Sequence, residues 1–552
     1  MAMIIKNMRI VKGIQTEWEH RETACAANGE LYDSLRMKLK RQRLVSDGAF
    51  ARMMQTASDL WKRCDFPACA EVMEKASRLD PSNYNVLLDL GAVYGKTHDY
   101  AAAQRSFDRA IRIAPVKSEA LTIAGLRCLD FKKHDLAERY LQQTVVQPNG
   151  SPDILVKIAE IYERRHRLDE ANAYVDRALS KDSKCGPALL ARARLLRQNG
   201  KLEEAERVLR NMPSTITDDL RAKTQYELGG VLDRQKRYDE AMSAFLEAKR
   251  VLQPQAARQI SDLKIVRERL NVMKAGISAD LLGRWHEAGK SLQPQHRLAL
   301  LGGHPRSGTT LLEQVLDAHP GIISAEETEI FHDAAYIPLT KKFPADPPIL
   351  SVLESAQAAD LQQSRKNYFR SMELFLGEAL GDRLLIDKNP SLTFLIPAMA
   401  RIFPEMKFII ALRDPRDACL SCFMQPLSLS QVSAAYLTLK DTVEEYAWLI
   451  SLWLTLRPLL KNPYLEVKYE DMVNDLPSVA KRTLDFLELP WDASVLRFDE
   501  HARNKLVLSP TYADVAKPVF KTAVARWRNY EKYLEPQLER LEPFVQAFGY
   551  AP

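Results

Sequence analysis

LALLGGHPRSGTTLLEQVLDAHPGIISAEET, residues 298–328, is an apolar run, a Gly/Pro/Ser loop, a helical pattern and an acidic turn in succession. Leu298 to Leu301 are continuously apolar, as in a parallel strand buried on both faces. From Thr310 onward Leu311, Leu312, Val315 and Leu316 fall at helical spacing, so the loop between joins a strand to a helix N-terminus. Free backbone N–H groups and the positive end of the helix dipole make such a junction an anion site.

The loop spaces Gly303 and Gly308 as in the nucleotide-binding pattern G-x-x-x-x-G-K-[ST], but Thr309 stands where the lysine belongs, followed by Thr310. The missing lysine argues against ordinary nucleoside triphosphate hydrolysis, and Arg306 offers a planar fork of donors for an oxyanion instead. With its flanks, the loop resembles the 5′-phosphosulfate loop of sulfotransferases that use 3′-phosphoadenosine-5′-phosphosulfate (PAPS). PRSGTTL, LDAHP and EET bring it nearest to tyrosylprotein sulfotransferases and bacterial repeat-bearing sulfotransferases. A degenerate loop used only as a packing turn is the plainer alternative.

A chain of 552 residues exceeds what one core usually serves, so at least two domains are expected. With 46% hydrophobic and 27% charged residues the composition is globular, and a net charge of +6 calls for no nucleic acid. The N-terminal residues lack the pattern of a signal peptide, and no uncharged apolar run is long enough to span a bilayer. Seven scattered cysteines point to reduced thiols and a cytoplasmic location. Cys419 and Cys422 form a C-x-x-C, read as helix-face packing because no second ligand pair completes a metal site.

Upstream the chain repeats itself. Pro81, Pro115 and Pro148 are 34 and 33 residues apart, close to the tetratricopeptide period. The repeat beginning near Tyr84 resembles that family at Leu90, Gly91, Tyr94, Ala103, Phe107, Ala110 and Pro115; Gly125 and Ala137, then Leu228, Gly229, Ala241, Phe245 and Ala248, continue the pattern. Four segments follow: an N-terminal arm over 1–49, an all-α tetratricopeptide-repeat solenoid of about six repeats over 50–254, a helical connection over 255–294, and a P-loop-like α/β sulfotransferase domain with a parallel sheet over 295–552. The solenoid groove is read as a seat for a peptide or protein, with a spacer or homodimer scaffold as the alternative.

Further motifs recur at the ends of predicted strands, where α/β sheets place ligands. The resemblance implies that His304, Pro305, Arg306, Ser307, Gly308, Thr309 and Thr310 cradle the 5′-phosphosulfate and that Arg306 stabilises charge as the bond breaks. Glu327, 21 residues after Arg306, corresponds to the general base. Lys388 in LLIDKNP corresponds to the catalytic lysine, and Arg413 with Ser421 to the pair that binds the 3′-phosphate. Tyr469 lies near the nucleotide in that family, and Lys517, Arg526 and Trp527 belong to a closing segment over it. Two positions depart: the family's recognition arginine is Glu329, and an active serine falls on Ala525, leaving Thr522 as a substitute hydroxyl. The expected reaction is metal-free sulfuryl transfer from PAPS to a hydroxyl, with 3′-phosphoadenosine-5′-phosphate (PAP) as product. A tyrosine in a peptide or protein is the leading acceptor; a small-molecule, glycan or lipid hydroxyl, a P-loop kinase, or a repeat scaffold with a relic enzyme domain are the alternatives.

Overall fold

In the repeat half, small residues sit where helices must touch. The computed structural model describes residues 48–145, 150–343, 347–426, 429–430, 432–504, 519 and 521–551; most of the arm, Cys25 and Lys517 lie outside these. Twelve helices run in chain order: α1 (Gly48–Lys62), α2 (Phe66–Leu79), α3 (Tyr84–Lys96), α4 (Tyr100–Ile113), α5 (Lys117–Asp130), α6 (His134–Val145), α7 (Pro152–Arg164), α8 (Leu168–Lys181), α9 (Gly186–Gln198), α10 (Leu202–Arg210), α11 (Asp218–Arg234) and α12 (Tyr238–Leu252). They pack in consecutive pairs. A Cβ on Gly91 of α3 would come within 2.4 Å of the Phe107 ring on α4, and one on Gly229 of α11 within 2.6 Å of the Phe245 ring on α12. Those glycines let paired helices close on each other.

The first helix of each pair ends in a left-handed residue: Cys64, His98, Lys132, His166, Gly200 and Lys236. The next N–H then reaches back to the helix, as from Asp99 to Tyr94 O at 3.0 Å and from Lys133 to Cys128 O at 2.9 Å. This is the Schellman closure, which satisfies carbonyls that the helix end would leave open.

After α13 (Ala257–Gly276) and α14 (Ala279–Gly289), five strands form one parallel sheet: β1 (Leu298–Gly303), β2 (Ile322–Glu326), β3 (Leu384–Lys388), β4 (Lys407–Leu412) and β5 (Tyr464–Lys468), in the order β2-β3-β1-β4-β5. β1 and β3 are buried along their whole length, as their apolar runs require. α15 (Thr309–Asp317) follows β1, α16 (Ala358–Leu376) precedes β3, α17 (Pro415–Phe423) follows β4, α18 (Leu439–Leu456) precedes β5, α19 (Tyr469–Asn474) follows it, and α20 (Glu531–Ala547) closes the chain.

The two halves share a core. Leu420 and Phe423 of α17 and the adjoining Met424, with Trp527, Tyr530 and Leu534, pack in one apolar cluster with Val231, Phe245 and Leu252 of the last repeat. Lys249 of α12 is buried there and donates to Tyr436 O at 2.5 Å; burial pulls its ammonium down to about 7. No described helix is long and apolar enough to cross a membrane.

Candidate active site

Every strand of the sheet delivers a candidate residue at its carboxyl end. Beyond β1, Gly303 has φ +122°, and a Cβ there would lie 2.3 Å from Ala411 O on β4. Gly308 begins α15 at φ +89°, with its missing Cβ 2.7 Å from the Tyr469 ring. The amides of Thr309, Thr310 and Leu311 precede the first intrahelical bond, from Leu312 N to Gly308 O at 3.1 Å, and so remain for an anion. Ser307 and Thr309 are buried in this loop. His304 faces away: its ring is fully buried 4.8 Å from the Tyr446 ring, its Nδ1 lies 2.7 Å from Pro305 O, and burial pulls it down to about 4. A neutral core imidazole results, so His304 and Pro305 can offer a ligand only their backbone.

Arg306, left-handed at φ +70°, is where the loop meets the residues after β4. Its Nε donates to Ser421 Oγ at 3.1 Å, and Arg413 Nη1 donates to its carbonyl at 3.1 Å. Arg413 Nη2 donates to Ala523 O at 2.5 Å, and its guanidinium lies 4.9 Å over the Tyr469 ring. Arg413 Nε is buried with no partner, an orphan donor next to the phosphate loop. Thus Arg306, Tyr469 and the pair of Arg413 and Ser421, from three separate stretches of the sequence, converge.

A second group gathers beyond β2 and β3. Glu327 is left-handed at φ +48°, and its N–H donates to Lys388 O at 2.7 Å. Its Oε1 accepts from Lys388 Nζ at 2.8 Å, and its side chain keeps 39% exposure. Lys388 is fully buried, with Glu326 Oε1 at 3.3 Å and Glu313 Oε2 at 3.5 Å. Burial opposes the Glu327 charge, yet Lys388 above all, with Lys132 and Arg306, holds the carboxyl below its ordinary value. Burial likewise opposes the Lys388 charge, and the three glutamates overcome it and raise its pKa. On the opposite face of β3, burial pushes Asp387 up to about 7 although the Tyr368 hydroxyl donates to it at 2.9 Å.

The closing segment is gripped by an acid on α17. Asp417 accepts from the N–H groups of Ala525 at 2.7 Å and Trp527 at 2.8 Å, and burial pushes it up to about 6. Ala525 is left-handed at φ +55°. Arg526 turns to the repeats, pairing with Asp233 of α11 at 2.8 Å, and Trp527 is buried with Arg416 at 4.2 Å over its ring. Thr522 is exposed. Glu313 was also missed, although a carboxylate inside the apolar face of α15 is the kind of misfit that signals a buried pair. Both thiols of the C-x-x-C are free and buried; Cys422 lies 3.4 Å from Pro305 O, and burial pushes it up to about 12. Among the described residues no three His, Cys, Asp or Glu side chains form a metal cluster.

Residues 299–493 match the family model described as Sulfotransferase family, and residues 88–152 and 164–224 match tetratricopeptide repeat models. A protein of Aquifex aeolicus described as uncharacterized is 24% identical over 343 residues, which cover 60% of this chain and 43% of that one. The chain thus spans less than half the length of that relative. Protein-tyrosine sulfotransferase 1 of Danio rerio is 24% identical over 46% of this chain and 72% of its own, and protein-tyrosine sulfotransferase A of Caenorhabditis elegans is 24% identical over 46% and 67%. Among solved structures, the sulfotransferase domain from the Synechococcus PCC 7002 olefin synthase is 22% identical, covering 47% of this chain and 97% of its own, with a TM-score of 0.35.

Proposed function

Starting from a chain that joins tetratricopeptide repeats to a sulfotransferase-family domain, we propose that it transfers the sulfuryl group of PAPS to an acceptor hydroxyl. One observation carries the reading: the sheet's carboxyl end holds an anion cradle around Arg306 on one side and an ionised glutamate on the other. The orphaned Arg413 Nε and the first-turn amides of α15 fit a doubly phosphorylated nucleotide. In this assignment Ser307, Gly308, Thr309 and Thr310 hold the 5′ end, Arg413 and Ser421 take the 3′-phosphate, and Tyr469 packs beneath Arg413. Arg526 and Trp527 brace the closing segment against the repeats, and Lys517 belongs to the same segment outside the described residues.

PAPS supplies an activated sulfuryl group and needs no metal to do so. Glu327 accepts the acceptor hydroxyl's proton as its oxygen bonds to sulfur; the bond from sulfur to the bridging phosphate oxygen breaks, and PAP leaves with the electron pair. Arg306 faces the charge that grows on the bridging oxygen. Lys388 keeps Glu327 ionised and aimed, and its own contact with the transferring group requires the 2.8 Å pair with Glu327 to open. A tyrosine in a polypeptide is the proposed acceptor, supported by the repeats, a protein-binding architecture, and by the names of the distant relatives. A cytoplasmic setting fits the free thiols.

The test is ³⁵S transfer from labelled PAPS with Glu327→Gln beside the unaltered chain. Turnover falls by about 10²–10⁴-fold while PAP affinity stays within about twofold. Because the Glu327 carboxyl lies below 4.5, it stays deprotonated as pH falls through the ordinary glutamate range, so the acid limb of kcat/KM lies under that value. Undiminished turnover in Glu327→Gln removes it as the base, and tighter binding of ATP than of PAP overturns the sulfotransferase reading in favour of a kinase.

A further inference from the structure

On α17, Asp417 and Ser421 are four residues apart, so they lie on one face of the helix a turn from each other. Ser421 faces Arg306 of the loop, whereas the buried Asp417 turns both carboxylate oxygens to the closing segment. Its Oδ2 accepts from Ala525 N at 2.7 Å and its Oδ1 from Trp527 N at 2.8 Å. Two residues before Ala525, Ala523 O accepts from Arg413 Nη2 at 2.5 Å. With Arg306 O on Nη1 at 3.1 Å and the Tyr469 ring at 4.9 Å, this carbonyl fixes the guanidinium and leaves Nε as its buried, unmatched donor.

The repeats hold the same segment independently. Asp233 of α11 takes Arg526 Nη2 at 2.8 Å and the Tyr530 hydroxyl at 2.6 Å, and Tyr238 of α12 meets the Tyr530 ring edge-on at 5.4 Å. Grips from the two domains therefore alternate along the chain: Ala525 and Trp527 go to Asp417, Arg526 and Tyr530 to Asp233. A third acid, Asp239, pairs with Lys532 at 2.8 Å, but both side chains are largely in solvent and the pair adds little. The 5′ cradle of Ser307 to Thr310 stands between β1 and α15, outside this chain of bonds.

We propose that Asp417 and Asp233 are positioning residues for nucleotide recognition: by fixing residues 525–530 they set Ala523 O, and through it the Arg413 guanidinium, for a 3′-phosphate. The proposal rests on the assignment of Arg413 to that phosphate. It makes the last repeat part of the apparatus that selects the nucleotide, in addition to any role the repeats have toward the acceptor.

The experiment is calorimetry on the full chain with PAP and with adenosine 5′-phosphate, which keeps the 5′ end and lacks the 3′-phosphate; circular dichroism reports folding. The unaltered chain binds PAP more tightly by about tenfold or more, because the extra phosphate meets charged donors. Asp417→Asn keeps the side-chain size but offers one acceptor oxygen to two N–H groups. It lowers PAP affinity about tenfold and leaves that of adenosine 5′-phosphate within about twofold. Asp233→Asn keeps an acceptor for the Tyr530 hydroxyl and loses the ion pair with Arg526, so PAP affinity falls about threefold with adenosine 5′-phosphate again spared. If Asp417→Asn does not fold, Asp233→Asn alone decides. An undiminished PAP preference in a folded variant overturns the proposal and leaves the donor reading standing. So do equal losses for both nucleotides, the result of a merely structural role. An unaltered chain with no preference for PAP over adenosine 5′-phosphate overturns the donor reading and this proposal with it.

Discussion

In the repeat half, non-glycine residues with positive φ recur at Cys64, His98, Lys132 and His166, each 34 residues after the last, and again at Lys236. In the sheet half they stand at Arg306, Glu327, Glu488 and Ala525 with no period. Glu488 closes a helix as the repeat turns do, with Leu489 N reaching Leu484 O at 3.0 Å. The other three border the anion cradle, the candidate base and the segment gripped by Asp417. A left-handed residue that recurs serves the architecture of a helix end. One that occurs singly, outside the repeat period and beside the loop, the candidate base or the gripped segment, marks a place where the surroundings enforce a costly backbone. Two ion pairs mark the extremes of charge burial: Arg192 of α9 pairs with a largely exposed Asp176, whereas Lys388 is enclosed without solvent.

The largest effect is expected where this contrast is sharpest. Lys388→Met takes from the buried Glu313 and Glu326 the ammonium they share, and removing one side of a buried ion cluster costs about 3–5 kcal/mol. Arg192→Met breaks a pair that is worth less than about 1 kcal/mol because Asp176 stays in water. Urea unfolding followed by circular dichroism gives both figures. Equal losses in the two variants would dissolve the distinction between a structural surface and an electrostatically loaded site.

Much of this was legible in the chain. Apolar runs at Leu298 and Phe408 are long enough to specify buried parallel strands, and the glycine spacing of 303 and 308 specifies the loop because no side chain fits there. Arg306 and the pair of Arg413 and Ser421 were found in two separate motifs, and the adjacency of β1 and β4 brought them together. What the sequence hid depends on three-dimensional partners. Nothing local distinguishes Lys132 from Lys133, yet one docks on Phe375 and the other stays exposed. His304 reads as a ligand candidate because it lies inside the loop, but α18 presents Tyr446 to its ring and draws it into the core. Arg526 reads as part of a nucleotide clamp, and its actual partner, Asp233, comes from a helix nearly three hundred residues earlier.

That partnership sets the next test, of how far the two halves form one unit. Asp233→Ala removes the acceptor of both Arg526 and the Tyr530 hydroxyl at the shared core. Leaving these donors without a partner costs about 1–3 kcal/mol. The loss appears as a lower urea midpoint for the whole chain, together with faster proteolytic cutting near Trp527. A chain that unfolds at its original midpoint would mean that the repeats and the sheet domain stand independently, and the contrast drawn above would be one between two proteins in tandem.

The smallest effect tests the periodic class itself. Lys236 is exposed, left-handed at φ +62°, and has no ion pair among the described residues. Glycine removes the steric cost of that backbone, about 1–2 kcal/mol, but loses part of the gain to the greater freedom of the unfolded chain. Lys236→Gly is therefore neutral or stabilising by up to about 1 kcal/mol, read from the same unfolding curves. The protein already contains the control: Gly200 occupies the equivalent turn at φ +76° with open space around its missing Cβ. Arg306→Gly would relieve the same kind of strain, yet it deletes the donor to Ser421 and the charge facing the cradle. If glycine is harmless at Lys236 and ruinous to label transfer at Arg306, the same backbone conformation has two different causes in the two halves. A clear loss of stability in Lys236→Gly would instead show that the side chains of the repeat turns are themselves under constraint.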